Sequence, residues 1–265
     1  MPKLSVRNVS KSYPNGDSEA TQVLDDISFE VHEGELLAIL GPSGCGKTTL
    51  LKIVAGLLEP DKGKVFIDEK EVLPGHNRVG YIFQQESLFP WRTVKQNIEF
   101  GLEIANIDSA EMAARVEEII GIVGMAGLED HYPHEISGGQ ARKTEMARSI
   151  VVSPDILVAD EALQNLDAQT RNYLQSEFLR IQDVTGSTIL LVSHNVDEAV
   201  FMADRILVLS NIPASVIAEY KVDIPKPRIR TSQECLEYRS AILDVLRVEQ
   251  EKAMSRSRQK QSAST

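Results

Sequence analysis

The sequence predicts an α/β fold: a mostly parallel sheet, an N-terminal antiparallel β part, and an inserted α-helical subdomain. Three observations carry this reading. The first part of the chain alternates apolar and polar residues without helical spacing. Residues at about 90–153 instead carry apolar positions at helical spacing, with charges on the other face. On both sides of that insert, short apolar runs alternate with helical stretches, as in a sheet with crossover connections.

The bulk properties are compatible with this. The chain has 265 residues, 42% hydrophobic and 25% charged, enough apolar material for a core without disulfides, which excludes disorder over most of its length. A net charge of −11 makes it a poor general binder of phosphate backbones, so no nucleic-acid partner is expected. Cys45 and Cys235 are far apart and form no metal or disulfide pattern, which points to a reducing compartment. The opening MPKLSVRNVS lacks a basic start followed by an apolar run, so no secretory signal is expected. No stretch supplies the ~20 apolar residues a membrane-spanning helix needs.

Taken in order, Leu4–Val9, Ile27–Val31 and Glu35–Leu40 read as strands. A helix is predicted from Lys47 to Leu58, ended by Pro60, and strands over Lys64–Asp68 and Arg78–Phe83. Helices follow over Val94–Ala105, Ala110–Val123 and Gly139–Val152, the last ended by Ser153 and Pro154. Then come a strand Ile156–Ala159, a helix Ala168–Val184, a strand Ser187–Val192 and a helix Asn195–Ala203. Strands over Arg205–Leu209 and Ser215–Tyr220 complete a domain expected to span 1–224. Beyond it, Pro225, Pro227, Arg228 and Arg230 read as a linker, Cys235–Gln250 as an amphipathic helix, and SRSRQKQSAST as a disordered tail.

Gly41-Pro42-Ser43-Gly44-Cys45-Gly46-Lys47-Thr48 matches G-x-x-x-x-G-K-[ST] between an apolar strand and a helix. Glycines let the backbone turn and aim its N–H groups at phosphate oxygens, and the helix start adds partial positive charge. Residues 41–49, Thr49 included, are therefore candidate nucleotide-binding residues. Lys47 would bring a full charge to the β- and γ-phosphates, and Thr48 a hydroxyl to Mg²⁺. A second apolar strand, ILVADE, ends in Asp160 and Glu161, where open α/β sheets place their ligands. Asp160 suits Mg²⁺ and Glu161 suits polarising the attacking water. The fold implied is a P-loop NTPase core of the RecA-like kind. No Asn-Lys-x-Asp stretch reads guanine, which tilts the base towards adenine.

Ile136-Ser137-Gly138-Gly139-Gln140 then stands before a helix, about ninety residues after the loop. Ser137 and the two glycines at a helix start make a nest for an anion. In this order and spacing the sequence resembles the ATP-binding cassette (ABC) ATPases, over about residues 3–222. The resemblance implies roles for further residues. Tyr13 would stack on adenine. Gln84 would be the Q-loop glutamine that senses Mg²⁺ and nucleotide and meets a membrane partner. Asn165-Leu166-Asp167 would be the D-loop, and His194 the switch histidine on the γ-phosphate. Taken singly, Tyr13 reads first as a half-buried strand residue and His194 as a core or cap histidine, while Gln84 also reads as a loop residue and Asp167 as a helix cap.

The same resemblance implies two ATPs sandwiched head to tail between two copies of the chain. Lys47, Thr48, Gln84, Asp160, Glu161 and His194 would come from one copy, and Ser137, Gly139 and Gln140 from the other. A membrane-embedded permease would be driven by the resulting motion, with a solute-binding protein as an indirect partner, at the cytoplasmic face of the membrane. Gln85–Val94, Tyr132–Glu135, Asp197–Val200 and Pro225–Arg228 more narrowly resemble importer ATPases for nitrate, sulfonate and taurine. Trp91 would there be core packing or part of the groove that receives the permease. The competing functions are a soluble ABC ATPase outside transport, and a regulatory module that binds ATP and barely hydrolyses it.

Two departures from the family pattern stand out. Ala162 replaces the usual proline after Asp160-Glu161, and is expected to leave Glu161 less firmly placed and the basal rate low. Ala141-Arg142-Lys143 replaces Arg-Gln-Arg after the signature, with Glu145 in a region usually apolar or small. Glu145 is expected to mark an altered contact with the partner or with the γ-phosphate sensor.

Overall fold

The computed structural model describes residues 1–262 except Gly16, Asp17, Asn77 and Asn165. The chain divides into two compact units: Met1–His76 with Leu190–Thr265, and Asn77–Ile189. The second unit therefore extends beyond the predicted 90–153 insert on both sides.

In the first unit, β1 (Leu4–Asn15) pairs antiparallel with β2 (Ser18–Val31) and with β4 (Lys62–Ile67). Leu4 and Val6 alternate inward and, past a register shift, Val9 joins them; all three are buried against Ile27, Phe29 and Val31 of β2 and Val65 and Ile67 of β4. A two-residue strand, β5 (Lys70–Glu71), is added at the edge of β4. This is the antiparallel part expected from the sequence. A second layer contains β3 (Leu36–Leu40), β8 (Ile189–Val192), β9 (Arg205–Leu209) and β10 (Val216–Lys221), in the order β10–β9–β3–β8. All five residues of β3 are buried, the mark of a strand covered on both faces. It runs parallel to β9, and β10 adds an antiparallel edge.

Helix α1 (Lys47–Val54) stops four residues short of the predicted Leu58. Gly56 takes a left-handed conformation, φ +66°, and the Leu57 N–H turns back to the Lys52 carbonyl at 2.8 Å. This C-terminal cap ends the helix before Pro60 can.

The second unit holds β6 (Val79–Ile82), parallel to β7 (Ile156–Asp160), with α2 (Val94–Ile104), α3 (Ser109–Val123), α4 (Gly138–Ile150) and α5 (Ala168–Thr185). Each helix begins at a polar cap: Thr93, Asp108, Ser137 and Asp167. Helix α4 is unusual because it buries Arg142, Lys143, Thr144 and Glu145 together. Buried charges of this kind must find partners in the fold.

The C-terminal segment departs most from expectation. Arg228 is not a linker residue; it is 6% exposed and caps α6 (Val196–Met202). Its guanidinium donates to the carbonyls of Val200 at 2.7 Å and Ala203 at 2.6 Å, and also to Val222 and Ile224. These include carbonyls that a helix end leaves without intrahelical donors. Burial pulls the guanidinium pKa below its ordinary value, though Asp204 opposes this. Arg230 stacks on Phe201 at 3.4 Å, and Arg239 pairs with Asp197 at 2.8 Å. Helix α7 runs from Gln233 to Ser262, past the predicted end at Gln250. The segment from Glu249 onward lacks Gly and Pro and is rich in Glu, Gln, Lys and Arg, all good helix formers. Only the last three residues of the expected disordered tail lie outside the described residues. Arg228→Ala should lower stability by about 3 kcal/mol, by stripping several carbonyls of a charged donor. A lower urea midpoint at unchanged slope would record this.

Candidate functional site

In the first unit the phosphate loop joins β3 to α1. Gly44 and Gly46 both have positive φ, +77° and +106°, and a Cβ at Gly46 would lie 2.6 Å from Val23. Both conditions favour glycine. A Cβ at Gly41 would lie 2.9 Å from the Cys45 sulfur, so that small buried thiol fills the underside of the loop. Pro42 and Cys45 close the turn through the Cys45 N–H, while Ser43 and Thr48 face solvent. Lys47 is 5% exposed, and its ammonium donates to the loop carbonyls of Gly41 at 2.8 Å and Pro42 at 2.9 Å. A buried cation held by backbone dipoles, inside a ring of turned amides, suits an anionic ligand.

Two other predicted residues of this unit lie close by in the fold. The Tyr13 hydroxyl is 3.5 Å from the Thr49 hydroxyl, and the tyrosine is part-exposed on β1. The strand reading and the adenine reading of Tyr13 are thus compatible. His194 is exposed at the end of β8. The Ser193 N–H bonds to the Ile39 carbonyl at 3.2 Å, two residues before the loop begins. Asn195 then caps α6. His194 is therefore not a core histidine.

In the second unit, Asp160 is buried at the end of β7 and accepts from the Tyr81 hydroxyl at 2.9 Å. Burial, and then the Asp160 charge, push the Tyr81 phenol well above its ordinary pKa, so it remains a donor to that carboxylate. Glu161 has φ +48°, a left-handed backbone for a residue with a Cβ. The Gln164 N–H closes this turn on the Glu161 carbonyl at 3.1 Å, and Ala162 is buried. The Gln84 amide donates to Glu161 Oε2 at 3.1 Å. Ser137 and Gln140 cap one another at the start of α4, leaving Ser137 and Gly138 exposed and Gly139 clear of close backbone contacts. Asp167 caps α5 through the N–H groups of Gln169 and Thr170, and the Thr170 hydroxyl, followed by the Thr170 N–H, lowers its carboxyl pKa. Asn165 lies outside the described residues.

The loop before α2 is built by Asn97, which is fully buried. Its amide donates to the carbonyls of Phe89, Arg92 and Thr93 and accepts from the Phe89 N–H. This leaves Trp91 71% exposed, which removes the core-packing reading of that residue.

Sequence reasoning missed Tyr81 behind Asp160, Asn97 beneath the Trp91 loop, and the partners of Glu145. Only the last had a local signal: Arg142 and Glu145 are three residues apart on one helix, and both depart from the family pattern.

The residues that the sequence assigns to Mg²⁺, Thr48 in the first unit and Gln84 and Asp160 in the second, carry oxygen donors of the kind that cation takes. Among the described residues there is no cluster of three or more His, Cys, Asp or Glu that would hold a metal. A few protein oxygens supplemented by phosphate and water fit Mg²⁺ better than a full protein cage.

A model of the ABC transporter family matches residues 24–164. An uncharacterized ABC transporter ATP-binding protein of Methanocaldococcus jannaschii is 47% identical over 249 residues, covering 93% of this chain and 92% of the relative. The aliphatic sulfonates import ATP-binding protein of Bacillus cereus is 37% identical over 240 residues, covering 91% and 94%. A solved ATP-binding cassette, a dimer in a post-hydrolysis state bound to ADP and Pi, aligns with a TM-score of 0.71 at 27% identity. That alignment covers 84% of this chain and 100% of the other.

Proposed function

The chain belongs to the ABC transporter family and has its ATPase activity, and on that footing we propose that it is the ATP-hydrolysing subunit of an importer for a small anion such as a sulfonate, taurine or nitrate. The observation that carries the ATPase reading is the phosphate loop wrapped around buried Lys47, present in one chain with the Ser137-capped start of α4.

In this reading Lys47 and the loop N–H groups bind the β- and γ-phosphates, and Tyr13 stacks on the adenine. Thr48, Gln84 and Asp160 are the residues that would hold Mg²⁺, which when bound neutralises phosphate charge. Glu161 takes the proton of the attacking water, and His194 contacts the γ-phosphate. Positioning and electrostatic stabilisation do most of the work. Ser137, Gly138, Gly139 and Gln140 act on the nucleotide of a second copy, because each chain has one phosphate loop and one signature. The dimeric cassette described above supports such a pairing.

The permease partner and a peripheral place at the cytoplasmic membrane face follow from the importer reading. Among the described residues no helix is long and apolar enough to cross a membrane. Exposed Trp91, its ring tilted against Phe89 at 5.7 Å, is the contact we assign to the permease. The solute-binding protein acts through the permease. Purification of the tagged protein from detergent-solubilised native membranes tests this. A polytopic permease should co-purify at about one chain per copy. Recovery of only soluble nucleic-acid or ribosomal partners would contradict it and favour a soluble ABC ATPase.

A further inference from the structure

Arg142 and Glu145, two departures from the family pattern, meet each other in the structure. Arg142 Nη1 lies 2.6 Å from Glu145 Oε2, and the two side chains are 5% and 1% exposed. Both also hold the segment that contains Gln84. Arg142 donates to the carbonyls of Phe83 at 2.9 Å and Gln84 at 3.2 Å. Glu145 accepts from the Ser87 N–H and from the Ser87 hydroxyl. Arg148, one turn further along α4, donates to the Ser87 carbonyl at 2.8 Å and to its hydroxyl. The segment is thus tied on both sides of Gln84 to one face of the helix that begins at Ser137. At its free end the Gln84 amide reaches Glu161 Oε2.

A buried ion pair is weak evidence for stability, because desolvation offsets most of the attraction. Its clearer consequence is geometric. A planar guanidinium bridging two carbonyls and a carboxylate leaves the loop one arrangement relative to the helix.

We propose that the buried Arg142–Glu145 pair is a positioning device that locks the Gln84 loop to the signature helix and so sets Gln84 against Glu161. Neither residue is among those assigned to the nucleotide above; both act through Gln84. The inference rests on the roles given to Gln84 and Glu161 above. It also accounts for why the two departures occur together. Either one alone would lose its closest opposite charge.

A kinetic cycle tests it. Arg142→Gln with Glu145→Ala removes both charges of the pair at once. With Gln84 present, this pair change should lower kcat for ATP about tenfold while KM stays within about twofold. In a Gln84→Ala background the same change should lower kcat by less than about twofold, since the positioned group is gone. If the paired variant does not fold, Arg142→Lys serves instead. It keeps the charge beside Glu145 but cannot span both carbonyls, so it should lower kcat only when Gln84 is present. An equal loss in both backgrounds, or no loss with Gln84 present, would overturn the proposal. Wild-type kcat in Gln84→Ala alone would withdraw the role of Gln84, and the proposal with it. The wider ATPase reading would still be judged separately by Glu161→Gln.

Discussion

Glu161→Gln should lower ATP turnover about a thousandfold while ATP binding persists. The substitution is nearly isosteric and leaves the phosphate loop untouched. The turn at residue 161 should survive, because it is closed by backbone, from the Gln164 N–H to the residue-161 carbonyl. A glutamine there also keeps an oxygen to accept from the Gln84 amide, as Glu161 Oε2 does now at 3.1 Å. Only the negative charge that draws a proton from water is removed. With binding intact and hydrolysis blocked, an ATP-bound pair of chains should accumulate, visible as a doubling of mass by light scattering. Phosphate release at the wild-type rate would show that Glu161 is not the base.

Lys47→Ala should act earlier, on binding. The ammonium is buried and donates to the carbonyls of Gly41 and Pro42. Its removal takes away the one full positive charge of the loop. Alanine is a strong helix former at the first position of α1, so the helix should persist. Affinity for ATP should fall about a hundredfold, the scale expected when a charge-assisted hydrogen bond is removed from a low-dielectric site. Titration with a fluorescent ATP analogue reads this directly.

Much of this was legible because phosphate chemistry demands local spacing. The loop at 41–49 follows the fully buried apolar strand β3, and the acids at 160–161 come at the end of the buried run of β7; such strands are readable from short windows. The antiparallel part was legible from the alternation of Leu4 and Val6, while the register shift before Val9 was not. Boundaries failed where one residue decides the backbone. Gly56 ends α1 early, and no apolar pattern announces a left-handed turn. Arg228 reads as linker because two prolines precede it closely in sequence. Its partners, Val200 and Ala203, lie more than twenty residues away and offer only carbonyls, which every residue has. Glu145 is unusual already in the sequence, but its meaning needs Ser87, 58 residues away. The sequence leads one to expect that Ala162 loosens Glu161. In the structure the turn is closed by the Gln164 N–H on the Glu161 carbonyl, and Ala162 is buried.

The central claim is that each ATP is hydrolysed between the phosphate loop of one copy and the signature of another. It is tested most directly by mixing two inactive variants, Lys47→Ala and Gly139→Asp. The first lacks a working loop and keeps its signature. The second keeps its loop, and a Cβ at position 139 would meet only ordinary contact, with Thr170 at 3.5 Å, so α4 should fold. An acid near a helix N-terminus is even favourable for the helix, while its charge repels phosphate. Each variant alone should be close to inactive. Their mixture should regain turnover, because a mixed pair contains one intact loop facing one intact signature. A mixture as inactive as its components would contradict the shared site.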